Sequence, residues 1–180
     1  MEEINLIIDS TAFTEDKLVP QITDPAKFQR AIREAQQFDL RPLLGDALYY
    51  ELVNNYNPDD SGGPDDKYLK LVDGEQYQDS QDQTIIFSGL RMVIKYYAYA
   101  RLISGQQINV TSHSVTRKLS DYSEPVDGKT IAMEVSSARN GAASYWDEAK
   151  KYLNAKAADF PLWKCTHKAP RTGVKITAIG

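Results

Sequence analysis

The sequence predicts a mainly α-helical protein: a bundle of about four to five helices with a protruding β-hairpin or extended loop and flexible terminal arms. Three observations predict it. Apolar residues recur at helical spacing in several stretches between residues 24 and 163. One polar stretch, 108–127, switches to a period of two. Neither end carries any periodicity. The chain therefore divides into an N-terminal arm at 1–23, a helical domain at 24–163 and a basic tail at 164–180.

In the arm, Ile4, Leu6, Ile7 and Ile8 form a short apolar run that Asp9-Ser10-Thr11 ends. An extended arm or an edge strand fits it. Asp24-Pro25 starts a helix, because Asp caps well and Pro suits the first helical position, where an N–H would have no partner. Phe28, Ile32, Ala35 and Phe38 then mark one face, and Asp39-Leu40-Arg41-Pro42 reads as the break. A second helix places Leu48, Leu52, Val53 and Tyr56 together. Asn57 to Asp66 is a solvated loop rich in Pro, Gly and Asp. A helical turn around Tyr68–Leu71 follows, then a polar stretch to Gln83.

Residues 82–104 read as a long helix through Ile86, Leu90, Val93, Tyr97 and Ala100, with Gly105 as its cap. Residues 108–127 read as the hairpin or extended loop, polar on both faces. The last helix spans about 129–154. Its apolar residues Ile131, Val135, Ala138, Ala142, Tyr145, Ala149 and Tyr152 alternate steps of four and three, a coiled-coil-like seam. The seam packs on the 82–104 helix within the chain or, alternatively, between subunits. Phe160-Pro161-Leu162-Trp163 folds back on the core.

Composition bounds the function. A mean hydropathy of −0.48, with 26% charged residues, argues against a membrane protein. Met1-Glu2-Glu3 is acidic where a signal peptide would be basic, so synthesis and residence in the cytoplasm are expected. The one cysteine, Cys165, excludes a disulfide framework within the chain. A glycosylation role for Asn109-Val110-Thr111 is not expected in that compartment. The net charge is −4. Without Lys164, Lys168, Arg171 and Lys175, 17 basic residues face 25 acids, so residues 1–163 carry −8. That sign opposes duplex binding by the body, because phosphates demand Lys and Arg. An acidic body with a basic tail marks the tail as a partner-binding segment.

No catalytic or metal pattern stands out, and no cofactor is expected. Cys165 and His167 lack the second ligand pair that zinc needs. Asn57, Asp59, Ser61 and Gly62 echo a calcium loop, but Tyr68 stands where its closing glutamate belongs. The adjacent acids Asp59-Asp60, Asp65-Asp66 and Asp147-Glu148 read as solvated charge. The 11 tyrosines include two adjacent pairs, Tyr49-Tyr50 and Tyr96-Tyr97. Neighbours on a helix point about 100° apart, so each pair serves two surfaces, one of which can be an interface.

The order of certain motifs resembles a known family. Phe38-Asp39-Leu40-Arg41-Pro42-Leu43-Leu44-Gly45-Asp46-Ala47-Leu48-Tyr49 is followed by Gly89-Leu90 and Tyr96-Tyr97-Ala98-Tyr99-Ala100-Arg101. Next come Val115-Thr116-Arg117-Lys118, Ser123-Glu124-Pro125, Ala138-Arg139, Tyr152-Leu153 and Phe160-Pro161-Leu162-Trp163. Over roughly residues 20–165 the chain resembles the head-tail connector adaptor, or head-completion, proteins of tailed bacteriophages. The resemblance implies a virion protein of the phage neck, not an enzyme. Copies form a ring, typically a dodecamer, beneath the portal. The ring extends the channel, lets double-stranded DNA pass without specific binding and docks the next neck or tail protein.

On that reading the tail residues Lys164, Lys168, Arg171, Lys175, Ile176 and Ile179 bind the partner. Tyr49, Tyr50, Tyr96, Tyr99, His113, Val115 and Arg117 are the candidate subunit interface. The alternatives are another neck or tail-completion protein of stopper type and a regulatory protein-binding module whose basic tail touches nucleic acid.

Overall fold

The computed structural model describes residues 7–8, 25–56, 66–79, 81–106, 108–110, 115–117 and 127–163, the two short strands at 108–110 and 115–117 by their backbone alone. The predicted class holds: the protein is mainly helical, with hairpins set between the helices. Among the described residues no helix is long and apolar enough to cross a membrane.

Helix α1, Pro25–Glu34, begins at the proline that the sequence marks. Its buried residues Phe28, Ala31 and Ile32 lie at helical spacing. The expected break at Asp39–Pro42 does not occur. The chain instead widens into a π-helical segment, Ala35–Leu40, and continues as α2, Arg41–Leu44. The Arg41 N–H bonds the Gln36 carbonyl, five residues back. Proline inside an α-helix clashes with the carbonyl four residues earlier and leaves it unbonded. The wider turn just before Pro42 absorbs that conflict without ending the helix. It also keeps Ala35, Gln36 and Leu40 inside and turns Phe38 outward, 62% exposed, although the sequence placed Phe38 on the buried stripe.

Gly45 ends α2 with φ of 78° and leads into α3, Asp46–Asn55. A Cβ at Gly45 would meet nothing within 4 Å. Gly45→Ala thus isolates the backbone term and should lower stability by about 1–2 kcal/mol in urea unfolding. A loss near zero would refute the conformational reading. In α3, Leu48, Tyr49 and Leu52 are buried.

Helix α4, Asp66–Asp73, is followed by an element the sequence reading missed. Strands β1, Glu75–Gln78, and β2, Thr84–Phe87, pair antiparallel, with Glu75 opposite Phe87 and Gln78 opposite Thr84. The Asp79 carboxylate closes the turn by accepting from the Gln81 and Gln83 N–H groups at 2.8 and 3.0 Å. So residues 82–87, read as the first turns of a long helix, are turn and strand, and Ile86 points outward at 68% exposure. Thr84-Ile85-Ile86-Phe87 is β-branched and aromatic, which suits a pleated strand. Gly89, at φ of 81°, separates the strand from the helix.

Helix α5 therefore starts at Leu90 and runs to Gln106. Strands β3, Ile108–Val110, and β4, Val115–Arg117, form the predicted hairpin, with Val110 opposite Val115. Helix α6, Gly128–Ala155, is the long last helix. Tyr96 meets Tyr145, Ser88 meets Glu148 and Phe87 meets Tyr152, so α6 runs antiparallel to α5 and onto β2. Ala138, Ala142, Ala149 and Tyr152 of the predicted seam are buried on that side, joined by Trp146 and Leu153. Gly141 lets Tyr96 lie flat on α6, because a Cβ there would sit 2.6 Å from the ring. Phe160 returns to the core and Trp163 meets Trp146 edge-on, as the sequence predicts.

One cluster joins these elements, and Ile7 and Ile8 belong to it. The N-terminal arm is anchored at those two positions. The rest of the arm, the loop at 57–65 and the tail from Lys164 onward lie outside the described residues.

Candidate assembly interface

Two parts of the body present side chains outward in an organised way. The first is the corner made by the π-helical segment, α2 and α3. Arg101 on α5 grips this corner: its Nε and Nη2 donate to the two Asp39 oxygens at 2.6 and 3.1 Å. That hydrogen bond raises the Arg101 pKa, against burial, which lowers it. The guanidinium also lies 5.5 Å from the Phe38 ring centre, so the same residue steadies the exposed aromatic. Beside it, Arg41 donates to Asp46 at 2.7 Å and lies 5.1 Å from the Tyr50 ring centre. The hydrogen bond from Arg41 holds the Asp46 carboxyl below its usual range. The corner is thus a pair of exposed aromatics, each held by an arginine.

Behind the corner is a buried polar group. Gln36 is fully buried, and its Oε1 accepts from the Ile7 N–H at 2.9 Å. Burial pushes the Tyr49 phenol up, opposed by the adjacent Gln36 amide. Neither Gln36 Nε2 nor the Tyr49 hydroxyl reaches hydrogen-bond geometry with a partner.

The second part is the far end of the α5–α6 pair. Leu102 is the last buried residue of α5 and Ala138 the first of α6. Between them, no described side chain is buried. The first ten residues of α6 expose Met133 and leave Ile131 and Val135 half covered. The β3–β4 hairpin joins these two helix ends in chain order, and the three together are termed the stalk.

The predicted interface residues divide as follows. Tyr49 is a core residue, 1% exposed, and is corrected on that point, since α3 buries it beside Gln36 of the π-helical segment. Its neighbour Tyr50 is 47% exposed, so the pair serves two surfaces. Tyr96 and Tyr99 are half-buried on α5, Tyr96 against α6. Val115 and Arg117 pair through their backbones with Val110 and Ile108. His113 lies outside the described residues, as do Lys164, Lys168, Arg171, Lys175, Ile176 and Ile179. The structure thus joins Val115 and Arg117 in one ladder and leaves Tyr50 at the other corner. Phe38, Arg101 and Gln36 were missed. The signal for them was Pro42, which forces the wide turn.

Among the described residues, no three His, Cys, Asp or Glu side chains gather as a metal site. Asp147 of the acid pair bonds Lys150 at 2.6 Å, and Glu148 accepts from Ser88 at 3.1 Å.

No curated protein and no solved structure matches the chain. Residues 40–173 match DUF6712, a family of unknown function, and this span takes in α2 through α6 and most of the corner and the stalk. The chain belongs to the DUF6712 family.

Proposed function

We propose that the protein is a structural subunit of the phage neck, a head-tail connector adaptor that assembles as a ring under the portal and docks the next neck or tail protein. The observation that carries the reading is the stalk. From Ile103 to Ser137 no described side chain is buried, yet the stretch holds two helix ends and a hairpin. A two-stranded hairpin with strands of three residues is marginal in water without a surface to rest on. Met133, exposed, and Ile131 and Val135, half covered, leave apolar surface at the described helix end that another protein could cover. The motif series supports the same reading. So does the acidic body, whose −8 charge repels phosphates and suits a channel through which DNA slides.

The basic tail is the proposed portal contact. Deleting residues 164–180 should leave helical content and melting unchanged and abolish attachment to portal-bearing capsids. Attachment at the wild-type level by the truncated chain would reject this role. The mass of the isolated protein, measured beside a mixture with portal, tests ring formation directly: a ring is expected in the mixture.

A further inference from the structure

We propose that the outer edge of β2 is a docking site for an extended segment of another protein, apolar at its centre and basic at its ends, which joins the β1–β2 ribbon as a third strand. The hairpin turn fixes which backbone groups face outward. The Asp79 N–H donates to the Gln83 carbonyl at 3.0 Å, and the Asp82 N–H donates to the Asp79 carbonyl at 3.2 Å. Asp82 has φ of 57°, the hairpin form in which a left-handed residue closes the loop. Asp79 and Gln83 are thus bonded across the ladder. Every second pair repeats that bonding, which gives Tyr77 with Ile85 and Glu75 with Phe87. The residues between, Thr84 and Ile86, turn their N–H and C=O groups away from β1. Among the described residues nothing bonds to these four groups. Thr84 and Ile86 are also the exposed residues of the strand, so no side-chain packing covers them.

The free groups specify what can cover them. Two donors and two acceptors recur about 6.6 Å apart along the edge, the repeat of an extended backbone. Proteins guard such edges with Lys, Pro or a bulge. Thr84-Ile85-Ile86-Phe87 has none of these, and Ile86 offers an apolar neighbour to the incoming strand. The β1 edge is less suited, because it exposes Gln76 and Gln78 between Glu75 and Asp79. Charge sets the ends of the segment. Asp79 and Asp82 stand at the turn, and Glu148 accepts from Ser88 at the other end of β2. Lys or Arg flanking an apolar centre complements both ends.

A second copy of β2 fits less well than a bare segment. Phe87 stacks on Tyr152, so each β2 carries α6 beneath it. Pairing two β2 edges would set both α6 helices on the same side of the joint sheet. Four residues from each copy also fall well short of the roughly 800 Å² per partner that a specific dimer buries. A bare segment brings no helix with it. The site needs only such a segment and does not depend on the ring reading.

Amide exchange and nuclear magnetic resonance on the full-length chain provide the test. In the free protein the Thr84 and Ile86 N–H groups should exchange at least tenfold faster than those of Ile85 and Phe87. Equal protection would mean that the chain covers its own edge, which overturns the proposal. The probe is acetyl-Lys-Thr-Val-Ile-Val-Thr-Lys-amide, N-methylated on alternate residues so that one edge alone can pair. Saturable shifts at Thr84 and Ile86 are expected, with their exchange slowed at least tenfold at saturation. Ile86→Pro removes an edge donor that the ladder to β1 does not use, and should weaken binding about tenfold. If that variant unfolds, the same peptide methylated at every residue decides on the unmodified protein: loss of binding supports the edge, and equal binding rejects it. No shift with the first peptide also rejects it. Protection of Thr84 and Ile86 that rises with protein concentration alone would make the occupant a second copy and overturn the assignment to another protein.

Discussion

Gly89→Ala should cost the protein about 3 kcal/mol or more, read as a lower urea midpoint with an unchanged slope. Two effects add. Gly89 has φ of 81°, where any Cβ is strained. A Cβ there would also lie 2.7 Å from the Asp73 carbonyl carbon and closer still to the Val72 oxygen. These are backbone atoms that cannot swing aside. Gly74 is the mirror case, with φ of 95° and a Cβ position 2.9 Å from the Ser88 carbonyl carbon. The two glycines face each other where β1 leaves α4 and β2 enters α5, and each occupies the space that a side chain on the other would need. Gly74→Ala should therefore lose a similar amount. The double variant should lose less than the sum, because the first substitution already opens the gap. A loss below about 1 kcal/mol for either single variant would mean that the strands separate freely there.

Tyr152→Ala should be as severe, about 3–5 kcal/mol, because it removes the ring at the centre of the lower core. That ring stacks on Phe87 at 4.3 Å between centres and meets Tyr77 edge-on at 5.3 Å. It also approaches Phe160, so one residue joins β1, β2, α6 and the returning C-terminal segment. Tyr152→Phe separates packing from polarity. It keeps the ring and deletes the hydroxyl that donates to Glu75 Oε1 at 2.7 Å. Lys70 remains near Glu75, at 3.9 Å, so the carboxylate is not stranded. The phenylalanine variant should lose only about 1 kcal/mol. Equal losses for the two variants would show that the hydroxyl, not the ring, holds this junction.

The contrast between α6 and β2 shows what was legible in the sequence. The seam from Ile131 to Tyr152 repeats over seven positions, and a signal that long survives any local ambiguity. Ile86 and Leu90 also stand four apart, but that spacing alone cannot tell a helix from a strand followed by a helix. What separates them is Gly89, and its role depends on Gly74 lying opposite in space. No local pattern reports that. The same holds at Pro42. A proline after a polar residue reads as a helix break, and only the packing of Leu40 and Leu44 shows that a wide turn was the cheaper solution. Of the candidate interface, the divergence of adjacent tyrosines was readable, but which one faces outward was not: Tyr49 and Tyr50 were both candidates, and Tyr49 is buried. Which outward residues gather was not readable, because Arg101 reaches Phe38 and Asp39 from more than 60 positions away.

The stalk has a consequence for how the sequence can change over time. A residue in the core is constrained by all its neighbours, so substitutions near Tyr152 or Gly89 are removed because the fold fails. Between Leu102 and Ala138 the fold places little constraint on the described side chains. There the described side chains at 103–105 and 127–137 can change their chemistry while the core stays packed. On the proposed reading, selection there acts through the partner, and these helix ends can change while the core stays as it is.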